Sequence, residues 1–286
     1  MRVCLIAVFL ASLVTAGATG CALISLDAYT RGAATEDAGA GLDASMPRDV
    51  DADGSARDGS ASAYRAAVVA DAPTAYYRFE EPVGSSTVAS ETDLGVFGTV
   101  HGGATRGVPG AIAGDDGHAL KLDGASASIS FGNEFAFSGG ASYTIELWFR
   151  ADTIDTNYRR IWNRDATNAN GRQGYTLYVR TDFGLVAERY IDSQLYSAYD
   201  RSFNAPTWTH AVVTYNEATM KLWVDGALVG SMASPANLVG TDSPFVVGSA
   251  PEANGFFAGT VDELAIYDRV LTDDRIIEHH RIGAGL

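Results

Sequence analysis

Tyr143-Thr144-Ile145-Glu146-Leu147-Trp148-Phe149 alternates apolar and mixed side chains over its whole length. Ile145, Leu147 and Phe149 fall on one side, and Glu146, Trp148 and Arg150 on the other. A period of two is the signature of a β-strand with one face turned to a core. The pattern returns in Tyr175–Arg180, Trp208–Val213 and Met220–Val224. Further strands are expected at 119–122, 127–131, 185–190, 245–247 and 260–267. Asp225-Gly226, between Val224 and Leu228, reads as a tight hairpin turn, because glycine adopts positive φ without penalty. Short alternating segments at regular spacing predict an all-β antiparallel sandwich or barrel. Helical character is expected only at the C-terminal end. There Thr272 can cap a short helix, Asp273 and Asp274 suit its positive end, and Ile276 and Ile277 can dock it.

The chain has 286 residues, of which 47% are hydrophobic, enough for one sizeable core. Its net charge is −15, and its only lysines are Lys121 and Lys221. Duplex binding needs clustered cations to displace counterions, so nucleic acid is excluded as a partner. The two cysteines, Cys4 and Cys21, both precede the strand-rich region. That region therefore holds no disulfide and no thiolate metal site.

Met1-Arg2 gives a positive start, Leu5–Val14 an apolar run, and Ala16–Gly20 a small-residue stretch. This is the order of a secretory signal, and the run is shorter than the roughly 20 residues that span a bilayer. Ala18-Thr19-Gly20-Cys21 resembles a bacterial lipobox, with Ala18 where that motif usually has Leu. The resemblance implies acylation of Cys21 and a lipoprotein of the outer membrane or cell surface. Ordinary cleavage after Ala18 would instead release a soluble periplasmic or secreted protein. Residues 22–63 are rich in Ala, Asp, Gly and Ser and nearly devoid of aromatic residues, and they read as an acidic tether. Asp49, Asp51, Asp53 and Gly54 match half of a calcium loop, but Ser60 stands where its last glutamate is needed. The division expected is thus 1–21 signal, 22–63 linker and 64–286 folded domain.

Several motifs then occur in a fixed order. They are Tyr76–Glu81, Gly107–Ala111, Leu120–Gly124, Ile145–Phe149, Trp208–Val212, Leu222–Gly226 and Gly259–Leu271. In this order they resemble the laminin-G-like, concanavalin A-like jelly-roll domains of bacterial surface proteins, over about residues 65 to 283. The resemblance implies two antiparallel sheets packed face to face, one of them concave, and a short C-terminal helix. It also implies a structural Ca2+ tying the first strand to the last. The matching oxygens are Glu80 and Asp262, with Asp123 as a third candidate; the alternative is that they are separate turn and edge carboxylates.

Some hydrolases of this architecture place carboxylates in a Glu-x-Asp-x-(x)-Glu pattern. Retention needs two carboxyls about 5–5.5 Å apart and inversion about 6.5–9.5 Å. No such triplet occurs here, and the adjacent pairs Asp262-Glu263 and Glu80-Glu81 point to opposite faces of an ideal strand. No Gly-x-Ser-x-Gly elbow accompanies the histidines. His210 reads as a core residue, and His279-His280 as surface residues of the terminal helix. A non-catalytic binding module is therefore expected. Its ligand surface is expected to combine aromatic rings with planar polar groups, from Trp148, Arg150, Tyr178, Arg180, Glu188 and Tyr190. Tyr190–Tyr199 is unusually aromatic for a loop or edge. The partners this implies are carbohydrate or a glycosylated surface protein, with the membrane touched only through the lipid anchor. A protein-contact module of the envelope is the alternative, and oligomeric state is left open.

Overall fold

Ile145, Leu147 and Phe149 are fully buried, as the alternation predicts, yet Glu146 and Trp148 on the opposite face are buried too. The strand therefore has a layer on each side. The structure is a computed structural model that describes residues 59–286 apart from Ala205. The signal, Cys21 and most of the linker lie outside the described residues.

The elements are α1 (Gly59–Ala70), β1 (Ala75–Tyr77), β2 (Thr87–Ala89), β3 (Phe97–His101), β4 (Thr105–Pro109), β5 (His118–Asp123), β6 (Ser128–Ser130), β7 (Tyr143–Ala151) and β8 (Arg159–Asn168). They continue with β9 (Gly171–Arg180), β10 (Gly184–Ile191), β11 (Gln194–Asp200), β12 (Thr209–Tyr215), β13 (Thr219–Val224), β14 (Ala227–Ala233), β15 (Val246–Val247), β16 (Ala258–Tyr267) and α2 (Asp273–Gly283). The first sheet runs β14-β13-β12-β7-β16-β5-β4, with β1 also on β16. The second runs β11-β10-β9-β8-β15-β6-β3-β2. Every pairing is antiparallel, and the inner faces enclose one core built around residues such as Ile145, Leu147, Trp162, Leu177 and Phe245. This is the expected jelly-roll sandwich. Asp225 (φ 49°) and Gly226 (φ 74°) make the β13–β14 turn, and Thr272 caps α2 by accepting from Arg275 N.

Three local expectations are corrected. The opening strand is only Ala75–Tyr77, because Phe79 adopts φ 61° and turns the chain aside. Helix α1 was not foreseen, since its Ala- and Ser-rich sequence has only a weak apolar stripe. It nevertheless buries Tyr64 and Val68 against the outer face of the first sheet. His279 is fully buried, not a surface residue.

That outer face carries a second core of Tyr64, Val68, Tyr76, Trp148, Trp223 and Ile276, among others, sealed by α1, α2 and the 110–117 loop. A polar network lies within it. Glu146 accepts from Tyr267 Oη at 2.6 Å, and His279 Nδ1 lies 3.1 Å from both its oxygens. His279 Nε2 is 3.0 Å from Asp71, which also takes Arg275 Nε at 2.7 Å. His210 is fully buried beside Glu146 at 3.4 Å, the core position expected of it.

Candidate functional site

The six expected ligand-contacting residues do not form one surface. Trp148 and Arg150 lie on β7 in the first sheet, whereas Tyr178, Arg180, Glu188 and Tyr190 lie on β9 and β10 in the second. Alternation sends both groups outward, on opposite sides of the sandwich. Trp148 is sealed in the second core. Its Nε1 donates to Tyr64 Oη at 3.0 Å, and its ring stacks on His280. It is not available to a ligand. Arg150 lies over the Trp208 ring at 5.4 Å.

The four residues on the second sheet do converge. Tyr178 donates to Glu188 Oε1 at 2.7 Å, and Tyr190 to Glu188 Oε2 at 2.6 Å. Register explains this: Glu188 stands opposite Thr176, between the outward positions of Tyr178 and Gly174, and Tyr190 is its next outward neighbour. Burial, then the neighbouring Glu188, pushes both phenols well above their ordinary range, so they remain donors. Arg172 lies 3.6 Å over the Tyr190 ring and pairs with Asp165 on β8. Burial raises the Asp165 carboxyl, against the pull of Arg172. These groups are themselves mostly buried, and they stiffen the face more than they offer it.

The accessible part lies beside them. Tyr158, at the entry to β8, is 41% exposed and meets Tyr178 edge-on at 5.0 Å between centroids. Arg180 lies 4.6 Å and Arg160 5.6 Å from its ring centroid. The loop after β15 folds down along this face: Arg160 N–H donates to Gly255 O at 2.9 Å, and Arg159 Nη1 to Phe256 O at 3.0 Å. Two clefts of about 360 Å³ open on either side of Phe256. One reaches Tyr158 and Arg160; the other is lined by hydroxyls of Ser128, Ser130 and Ser249 with His101. Tyr158 and Arg160 are not among the expected ligand-contacting residues. The signal was present in Asn157-Tyr158-Arg159-Arg160, an aromatic ring set among planar polar groups at a loop–strand junction.

The expected calcium oxygens do not meet. Asp123 is occupied by its own turn, accepting from the N–H groups of Ala125, Ser126 and Ala127 and from Ser126 Oγ. The Ser126 bonds above all hold its carboxyl well below the usual range. Glu80 accepts from His118 N at 3.0 Å, and Asp262 from Ala111 N at 2.8 Å. These two flank the 110–117 loop, and each is bound to backbone. Among the described residues no group of three or more His, Cys, Asp or Glu side chains is arranged to hold a metal.

Asp262 and Glu263 also depart from the expected geometry. Glu263 adopts φ 50°, and the β16–β7 register shifts between Asp262 and Ala265. The resulting bulge turns both carboxyls to the first sheet's outer side. Burial raises both, and Arg78 beside Glu263 offsets only part of that rise.

Residues 123–277 match the laminin-G model of the concanavalin A-like lectin/glucanases superfamily. The chain belongs to that superfamily. No curated protein matches it. Among solved structures, it is similar to domain 4 of a GH43 extracellular arabinanase from Geobacillus stearothermophilus, in complex with arabinotriose. The identity is 21%, over 73% of this chain and 98% of that domain, with a TM-score of 0.58. The binding domain of Paraclostridial Mosquitocidal Protein 1 is 16% identical over 74% of this chain, with a TM-score of 0.55. The botulinum neurotoxin serotype D binding domain is 14% identical over 75% of it, at 0.58. The superposable region spans 52% of each toxin binding domain. At these identities the likeness shows a shared fold.

Proposed function

We propose that the folded region is a non-catalytic glycan-binding module on the outer face of its second sheet, carried by an exported chain anchored through Cys21. The observation that carries this is the half-exposed Tyr158 ring, held rigidly by Tyr178 and two arginines at the mouth of a polar cleft. Sugars present apolar C–H faces to such rings and hydroxyls to the planar groups around them. The arabinanase domain solved with arabinotriose supports the reading by sharing the fold. Against catalysis, both oxygens of Glu188 are held by tyrosines and Asp165 is held by Arg172. Neither is free to trade a proton with a substrate.

The test is a glycan array with the full chain, followed by titration of the best ligand. Tyr158→Ala should weaken that ligand at least tenfold while the melting temperature stays within about 2 °C, as for a surface substitution. A folded chain that captures no glycan refutes the reading, and turnover of a bound glycan restores the hydrolase alternative.

A second reading has its own observation. The edge strands β11 and β14 lie side by side and expose Leu195, Tyr199, Leu228 and Val229. Exposed apolar side chains gathered on strand edges favour protein contacts. Silence on the array, with binding to an envelope protein lost in Leu195→Asp, would establish that reading instead.

A further inference from the structure

The cleft beside Tyr158 is lined by the Gly124-Ala125 turn, the Asn157–Arg160 segment and the Asn254–Phe256 loop. Arg160 forms part of its wall and is only 9% exposed. Its Nε and Nη1 have no acceptor among the described residues. Its arginine neighbours each have a carboxylate within pairing distance, although Arg180 Nε is likewise without an acceptor. Arg159 pairs with Asp155, Arg172 with Asp165 and Arg180 with Asp182. The next outward residue of β8, Asn163, is fully buried. Its Oδ1 accepts from Asp165 N, while its Nδ2 is likewise without an acceptor. Two successive outward positions of one strand thus carry donors without an acceptor among the described residues, of which Arg160 alone belongs to a residue lining the cleft. Buried polar groups in native proteins are almost always paired, and a buried guanidinium calls for an anion.

Resting on the glycan-binding reading, we propose that this cleft is a subsite for a carboxylate-bearing sugar residue, such as a uronic acid. The carboxylate meets the Arg160 guanidinium, and the sugar's C–H face lies on the Tyr158 ring. Arginine's planar fork suits a carboxylate. Asn157 and Asn254 line the same cleft, the Asn157 amide donating to Asp155 at 3.0 Å. Charge sets the number of anions. The chain as a whole carries −15, and among the described residues Arg160 is the one arginine of this group without a carboxylate at pairing distance, Asp165 acting on it only from further away. A single carboxylate per bound residue is therefore matched, and a densely sulfated polymer is repelled.

The experiment compares trigalacturonate with its methyl ester, titrated into the full chain by calorimetry in 50 mM and 300 mM salt, beside an array holding neutral and acidic glycans. The free acid is expected to bind at least tenfold tighter than the ester, with the gap narrowing at high salt. Arg160→Met is expected to bring the acid-to-ester affinity ratio to within twofold of one, whatever the affinity for the ester itself. Equal binding of acid and ester, or an array that captures only neutral glycans, overturns the subsite and leaves glycan binding intact. A folded chain that binds nothing on the array overturns both. Should Arg160→Met fail to fold, the acid-to-ester ratio of the unaltered chain and its salt dependence decide.

Discussion

Replacing His279 with Gln tests what holds the two helices to the first sheet. His279 is fully buried between Glu146 and Asp71, at 3.1 Å and 3.0 Å. Burial alone would lower its pKa, but the charges of Glu146 and then Asp71 raise it above the ordinary value. Glu146 is held below the usual carboxylate range despite complete burial, because His279 and His210 face it. Removing one partner of a buried pair costs about 3–5 kcal/mol, since the other charge stays buried. Gln retains one donor, which sets the expectation near 3 kcal/mol at pH 6. For a folded unit of this size each kcal/mol shifts melting by about 2–4 °C, so Tm should fall by about 6–12 °C. The sign with pH follows from the raised pKa. The charged histidine's contribution is complete below about pH 6.5 and is lost as pH rises through the folded-state value. The Gln penalty should therefore shrink toward pH 9. Urea unfolding followed by tryptophan fluorescence reads this, for Glu146→Gln, His279→Gln and the double variant. The double variant should lose at least 1.5 kcal/mol less than the sum of the singles, on the order expected for contacting residues. A His279→Gln penalty below about 1 kcal/mol at pH 6, or strict additivity with no pH dependence, refutes the reasoning.

Two further substitutions separate framework from site. Trp148→Ala should cost about 3–5 kcal/mol, the range for a buried aromatic, and leave glycan affinity unchanged within twofold in protein kept folded. Denaturant unfolding and ligand titration read the two quantities separately. Asp123→Ala should lower stability by about 1 kcal/mol above pH 5, through loss of its turn bonds. Because that carboxyl is depressed, the difference from the unaltered chain should begin to shrink as pH falls below the ordinary carboxylate range and keep shrinking toward the lower folded-state value, which melting curves between pH 2 and 7 would show.

The sandwich was legible because its strands carry a strict two-residue period and its turns carry Gly at positive φ, as at Asp225-Gly226. Strand β8 was not, because Arg159-Arg160-Ile161-Trp162-Asn163-Arg164-Asp165 hides its inward Ile161 and Trp162 among charges. Arg189, a charged residue on the inward face of β10, is fully buried with its guanidinium 3.6 Å over the Tyr215 ring. Which outer face was free could not be read from alternation, because period two says only that a side chain points away from the shared core. Trp148 and Tyr178 obey the same rule in different sheets. Only the docking of α1 and α2 makes the first an interior residue.

The same docking explains the buried carboxylates on the first sheet's outer side, Asp262 of the metal expectation among them. Each ties one covering segment to the first sheet. Glu146 holds α2 through His279, and α1's end follows through Asp71. Asp262 holds the 110–117 loop through Ala111 N, and that loop in turn donates from Ala113 N to Gly283 O at the end of α2. Glu263 holds β1 through Tyr76 and Arg78. The bulge at Glu263 is what lets two adjacent residues serve two different segments from one face. All three are buried, with their oxygens bonded within the fold. The proposed recognition face is the other one, where Tyr158 is exposed and Arg160 Nε and Nη1 have no acceptor among the described residues.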